Sequence, residues 1–115
     1  MSTPDAASQL TVTTEVHGDH AVVHCKGRLV SGNADLLYKP ASALIPGHKH
    51  ITLDLDGLTY MDSMGIGTVI RLYVACKTHH VAFDVRNLSE RIRELLIMVN
   101  LLPVLSTVGE QGIRI

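Results

Sequence analysis

Ile51-Thr52-Leu53-Asp54-Leu55-Asp56-Gly57-Leu58-Thr59-Tyr60-Met61-Asp62-Ser63-Met64-Gly65-Ile66-Gly67 is the stretch that decides how this chain is read. In residues 51–55, Ile51, Leu53 and Leu55 fall on one face by the two-residue period of a strand. A tight connection follows, and at Ser63 the periodicity turns helical. Ile66, Val69, Ile70, Tyr73 and Val74 then recur at three- and four-residue spacing. That pattern predicts a helix from Ser63 to about Thr78 with those residues on its buried face. A hydroxyl at a helix N-terminus sits among unpaired N–H groups at the positive end of the helix dipole. Such a setting accepts a phosphate group, so Ser63 is a candidate switch residue.

Working outward, residues 11–16 are rich in β-branched side chains and predict a strand, and residues 21–29 predict a second. His17-Gly18-Asp19-His20 joins them as a hairpin. Ser31 or Asn33 is placed to cap a first helix running toward Ile45. Pro40 is expected to break it, kink it or delay its start, and Pro46-Gly47 to end it. Residues 81–85 predict a further strand. Asn87 or Ser89 then caps a helix with Ile92, Leu95, Leu96 and Val99 as its buried stripe and Asn100 as its stop. Residues 101–105 or 113–115 are candidates for a last short strand. A hairpin followed by alternating strands and helices implies an α/β fold: a mixed sheet of four to five strands with helices packed against it by right-handed crossovers. Residues 1–8 read as a flexible lead-in and residues 9–115 as one domain.

Composition narrows the function classes. The chain has 115 residues, 46% apolar and 18% charged, the balance of a globular domain that buries about two-thirds of its unfolded surface. A net charge of -1 supplies no basic field for nucleic acid or anionic lipid. Tyr38, Tyr60, Tyr73 and Phe83 are the only aromatic residues, too few for base stacking along a single strand. No apolar run reaches the ~20 residues of a membrane span, and the first residues lack a signal peptide's pattern, so the expected location is the cytoplasm. Cys25 and Cys76 lie in apolar surroundings and read as two core thiols.

The run from Asp54 to Gly67, with its Asp62-Ser63-Met64-Gly65-Ile66-Gly67 core, resembles the signature of STAS domains, and more narrowly that of bacterial anti-sigma factor antagonists. Gly27-Arg28-Leu29 stands where that family has a Gly-acidic-Leu strand end. Residues 87–96 match its last major helix, and Asn100-Leu101 stands where a Gly-Leu pair is usual. The resemblance covers roughly residues 9–107 and implies a STAS-type single domain. It also implies a non-enzymatic protein that binds an anti-sigma factor with serine kinase activity. Phosphorylation at Ser63 then releases the partner, and a metal-dependent serine phosphatase restores binding. Carried over, the phosphoacceptor is Ser63, and the partner surface comprises Asp62, Ser63, Met64, Gly65, Gly67 and Arg28. Asp62 reads as a cap, a partner contact or a kinase determinant; the two glycines keep side chains away so that another backbone can approach. No cofactor, catalytic residue or metal ligand is implied. Met64, Arg28 and Val30 depart from the family pattern, Met64 by size and the other two by standing where acidic residues are usual.

Other readings are weaker. A serine hydrolase would want Gly-x-Ser-x-Gly, and position 61 is Met. The seven histidines show no zinc spacing with paired cysteines. A STAS module without a switch would serve as a scaffold subunit of a signalling or lipid transport complex, with Ser63 a plain cap. Leu96, Ile97, Met98 and Val99 are four apolar residues in a row, more than one stripe needs. They leave surface for a weak homodimer.

Overall fold

The computed structural model describes residues 9–98. Their element order is β1 (Leu10–His17), β2 (His20–Leu29), α1 (Ala34–Leu44), β3 (His50–Asp54), β4 (Leu58–Met61), α2 (Ser63–Thr78), β5 (Ala82–Arg86) and α3 (Glu90–Met98). β1 and β2 form an antiparallel hairpin in the register Leu10↔Gly27 to His17↔His20. Gly18, at φ +62°, supplies the left-handed residue that so short a loop needs. β3 runs parallel to β2, and β5 parallel to β3, giving the order β1-β2-β3-β5. The sheet is mixed and has five strands.

The fifth strand is where the structure departs from the tight connection expected after residue 55. β4 continues along β2 where β3 leaves off, with Arg28↔Tyr60 and Leu29↔Met61 in parallel register. β3 and β4 therefore act as one strand interrupted at 55–57. The interruption is made by backbone: Leu58 N–H donates to the Leu55 carbonyl at 2.9 Å, and Gly27 N–H donates to the Gly57 carbonyl at 2.9 Å. The pairing shifts register beside Gly27. Gly27 has φ +101°, and a Cβ there would collide with the Gln9 carbonyl, so only glycine lets β1 and β2 close at this point.

Right-handed crossovers from β2 through α1 and from β4 through α2 put both helices on one face of the sheet. That face carries Ala21, Val23, Cys25, Ile51, Leu53, Phe83 and Val85, all buried in a single core. Leu37 and Ala41 of α1 and Ile92 and Leu96 of α3 complete it. Pro40 lies inside α1 without breaking it. The bond it forfeits belongs to the carbonyl of Leu36, an exposed residue that water can serve. Ser89 caps α3, its hydroxyl accepting from Ile92 N–H at 3.2 Å. Leu95 is half-buried; Val99, Asn100 and the candidate last strand lie outside the described residues. Cys25 and Cys76 are buried free thiols. Burial pushes Cys25 up to about 12 and Cys76 up to about 11, so neither is a nucleophile near neutrality.

The buried face of α2 is not the one its apolar spacing predicts. Gly65, Thr68, Val69, Leu72 and Cys76 face the core, whereas Ile70 and Val74 are exposed and Ile66 and Tyr73 only partly covered. Small residues let the helix lie close to β2 and β4, and that approach sets its rotation. Apolarity alone pointed to a face turned partly toward solvent.

The opposite face of the sheet carries a polar network. His20, Thr52, Asp84, His50 and Arg86 come from three adjacent strands at alternating positions. Thr52 donates to Asp84 Oδ1 at 2.6 Å, His50 Nε2 lies 2.7 Å from the same oxygen, and Arg86 Nε donates to Oδ2 at 2.9 Å. His20 Nε2 reaches the Thr52 hydroxyl at 2.7 Å, and its ring stacks on His50 at 4.3 Å. Asp84 is fully buried, and these partners offset the cost of that burial. Farther along, His24 bridges Glu15 and Asp54. Burial pushes the Asp54 carboxyl up, but the Asn87 amide, the Asp56 N–H and His24 outweigh it and hold Asp54 below the usual carboxylate range.

Burial first, and then the neighbouring His50, hold the His20 imidazole below its ordinary value, while Asp84 pulls the other way. The folded state therefore favours a neutral His20. Its contribution is complete above the unfolded histidine value of about 6.5 and is lost as pH falls below that value through the lower folded one. Denaturation midpoints measured from about pH 7.5 to about pH 5 should fall on acidification. The fall should be shallower in His20→Gln; identical slopes in the two proteins would exclude this origin.

Candidate functional site

The end of β4 delivers the chain to α2 in an order that backbone hydrogen bonds enforce. Met61 is buried, and Asp62 is extended with φ -95° and ψ -172°. Asp62 N–H donates to the Leu29 carbonyl at 3.2 Å, and the Asp62 carbonyl accepts the first helical bond from Ile66 N–H at 2.9 Å. The Asp62 side chain does two tasks. Oδ1 accepts from Gly65 N–H at 2.9 Å, capping α2, and Oδ2 accepts from Ser31 N–H at 3.0 Å. The first bond is a helix cap, typically worth about 1 kcal/mol. The second ties the β2–α1 loop to the start of α2.

Ser63 is thus not the cap but the first helical residue. The sequence offered Asp62 and Ser63 as adjacent capping residues, and the extended geometry at Asp62 decides between them. Ser63 is exposed, and its hydroxyl makes no hydrogen bond among the described residues. The first turn of α2 contains no acidic residue. A negative group on Ser63 would lie at the favourable end of the dipole, beside the carboxylate of Asp62.

Met64 is exposed next to Ser63. The two glycines part company. Gly65 is buried, and a Cβ on it would lie 2.5 Å from the Leu29 carbonyl oxygen and 2.7 Å from Met61 Cγ. Its missing side chain seats the helix start against β2 and β4. Gly67 is partly exposed and has nothing within 4 Å of its would-be Cβ.

The β2–α1 loop is held by Asn33, which stands at the N-cap of α1 without capping it. Its Oδ1 accepts from Val30 N–H at 2.9 Å, and its Nδ2 donates to the Arg28 carbonyl at 2.9 Å. Asn33 is buried and shapes the loop rather than presenting a polar group to a ligand. Arg28 is exposed, with its guanidinium 4.5 Å from the Tyr60 ring centroid. Arg91 of α3 approaches the same ring at 5.9 Å. Tyr60 and Arg91 were missed in the sequence, because their meeting depends on β4 and on α3 packing beside it. The Asp84 network was also missed, although its signal was present: His20 and His24, His50, Thr52 and Asp54, and Asp84 and Arg86 each repeat at the two-residue strand period. No helix among the described residues is long and apolar enough to cross a membrane.

Comparison with known proteins agrees with this architecture. Among solved structures, the anti-sigma factor antagonist SpoIIAA in its unphosphorylated form is 20% identical, with 76% of this chain and 83% of that one covered and a TM-score of 0.65. The Bacillus cell fate determinant SpoIIAA in its phosphorylated form is 18% identical over 90% and 89%, also at 0.65. An anti-sigma factor antagonist from Mycobacterium paratuberculosis is 18% identical over 88% and 86%, at 0.70. The murine anion transporter Slc26a9 is 14% identical over 86% of this chain but 16% of that one, at 0.65. At these identities the likeness is one of fold. The STAS domain family matches residues 11–111, nearly the whole chain, and with the five-stranded mixed sheet and the capped helix after β4 the protein belongs to the STAS domain family.

Proposed function

We infer that this STAS domain is an anti-sigma factor antagonist switched by phosphorylation of Ser63. The observation that carries the reading is an exposed hydroxyl at the first residue of α2, with the capping role taken by Asp62. Modifying Ser63 costs the helix no cap. A phosphate adds about -1.5 to -2 charges there, which the dipole tolerates inside the domain. Beside Asp62, the added charge repels an acidic partner surface and must be desolvated by any surface that had packed on a small hydroxyl. The partner in this reading is an anti-sigma factor with serine kinase activity, and a metal-dependent serine phosphatase reverses the mark. ATP and metal belong to those enzymes, and the setting is the cytoplasm. The likeness to SpoIIAA, solved in both unphosphorylated and phosphorylated forms, supports the reading.

A non-switching scaffold is the second reading, favoured by the likeness to one part of a much longer transporter. Intact-mass analysis after incubation with ATP and extract of the native cells separates the two. The antagonist gains one phosphate, mapped to Ser63 and absent from Ser63→Ala; an unmodified chain favours the scaffold.

A further inference from the structure

Arg28 and Arg91 come from distant parts of the chain and converge on one ring. Parallel pairing of β2 and β4 sets Arg28 beside Tyr60, and α3 brings Arg91 to the same ring from its first turn. Both arginines are exposed, while Tyr60 is half-buried. A guanidinium ordinarily finds a carboxylate, yet neither arginine has an ion pair among the described residues. Asp62, the acid that follows β4, directs its two oxygens to the N–H groups of Ser31 and Gly65. The ring face attracts each guanidinium but neutralises neither, so both stay open to acidic groups.

The geometry points to Arg28, Tyr60 and Arg91 as a docking surface for an acidic segment of a partner protein, with carboxylates on two guanidinium forks that the tyrosine orients. The inference rests on the reading of this strand-to-helix junction as a partner surface and adds the charge of the partner. Arginine suits this role because its planar fork matches a carboxylate with two parallel bonds. The complementarity would speed encounter and select against basic partners.

The test is an NMR titration of the isotope-labelled full chain with the blocked peptide Glu-Glu-Leu-Glu-Glu. Its glutamine counterpart and free glutarate at equal carboxylate concentration are the controls. The acidic peptide should shift the side-chain Nε–H signals of Arg28 and Arg91. Joint Arg28→Gln and Arg91→Gln substitution should weaken binding about tenfold or more, as should high salt. Both side chains are exposed, and an unchanged thermal midpoint in the double variant confirms an intact fold. No shift, equal shifts from the glutamine peptide, or glutarate binding as tightly as the peptide would each overturn the inference, the last marking a simple anion site. The Ser63 switch is read separately by phosphate incorporation, so failure of one does not stand for failure of the other.

Discussion

Gly65→Ala will destabilise the domain by about 2–3 kcal/mol, whereas Gly67→Ala, on the same helix, will stabilise it by about 0.5–1 kcal/mol. The opposite signs follow from what each new methyl would meet. At Gly65 it enters a gap already filled by the Leu29 carbonyl oxygen at 2.5 Å. That oxygen also accepts from Asp62 N–H, so the chain cannot yield there without loosening the bond that places the helix start. Met61 Cγ, at 2.7 Å, is a side-chain atom and can move; the carbonyl cannot move alone. At Gly67 the space is open, and alanine only reduces the freedom of the unfolded chain. Urea midpoints at constant m-value measure both changes. Destabilisation of similar size at both positions would show that helix packing does not distinguish them.

If the proposed switch operates, Ser63→Asp will weaken binding of the anti-sigma partner by about two orders of magnitude, near 2.7 kcal/mol, with little change in the domain's own thermal midpoint. The two readouts separate because the same charge meets different surroundings. Within the domain it sits at the first turn of α2, where a negative group is favourable by about 0.3–1 kcal/mol. At an interface it must lose water and lie next to Asp62. Ser63→Ala removes a hydroxyl that makes no hydrogen bond among the described residues and should bind like the parent. Calorimetry with the proposed anti-sigma partner gives the comparison, and protein phosphorylated at Ser63 should match or exceed the loss in Ser63→Asp. Equal affinities for aspartate, alanine and serine would remove the switch while leaving the fold untouched.

Much of this was legible from residues alone because the signals were local. The hairpin, β3, α2, β5 and a cap at Asn87 or Ser89 each rest on periodicity or on a residue whose chemistry suits its position, and the structure selects Ser89. Ser63 and Asp62 were legible as the start of α2 for the same reason. Their division of labour was not: capping depends on the extended conformation at Asp62, which is set by its bond to Leu29 in another strand. The rotation of α2 was likewise hidden. Ile70 and Val74 look like core residues until Gly65 and Thr68 are seen to bring the helix against the sheet.

Sequence by itself determined the alternation of strands and helices, the hairpin and the serine at the first turn of α2, because each follows from contacts within a few residues. Tertiary structure alone decided that β4 pairs with β2 in line with β3, that Gly65 is buried while Gly67 is open, and that Arg28 and Arg91 share the Tyr60 ring. Those outcomes join residues far apart along the chain, and such pairings are chosen by packing and register rather than by local preference.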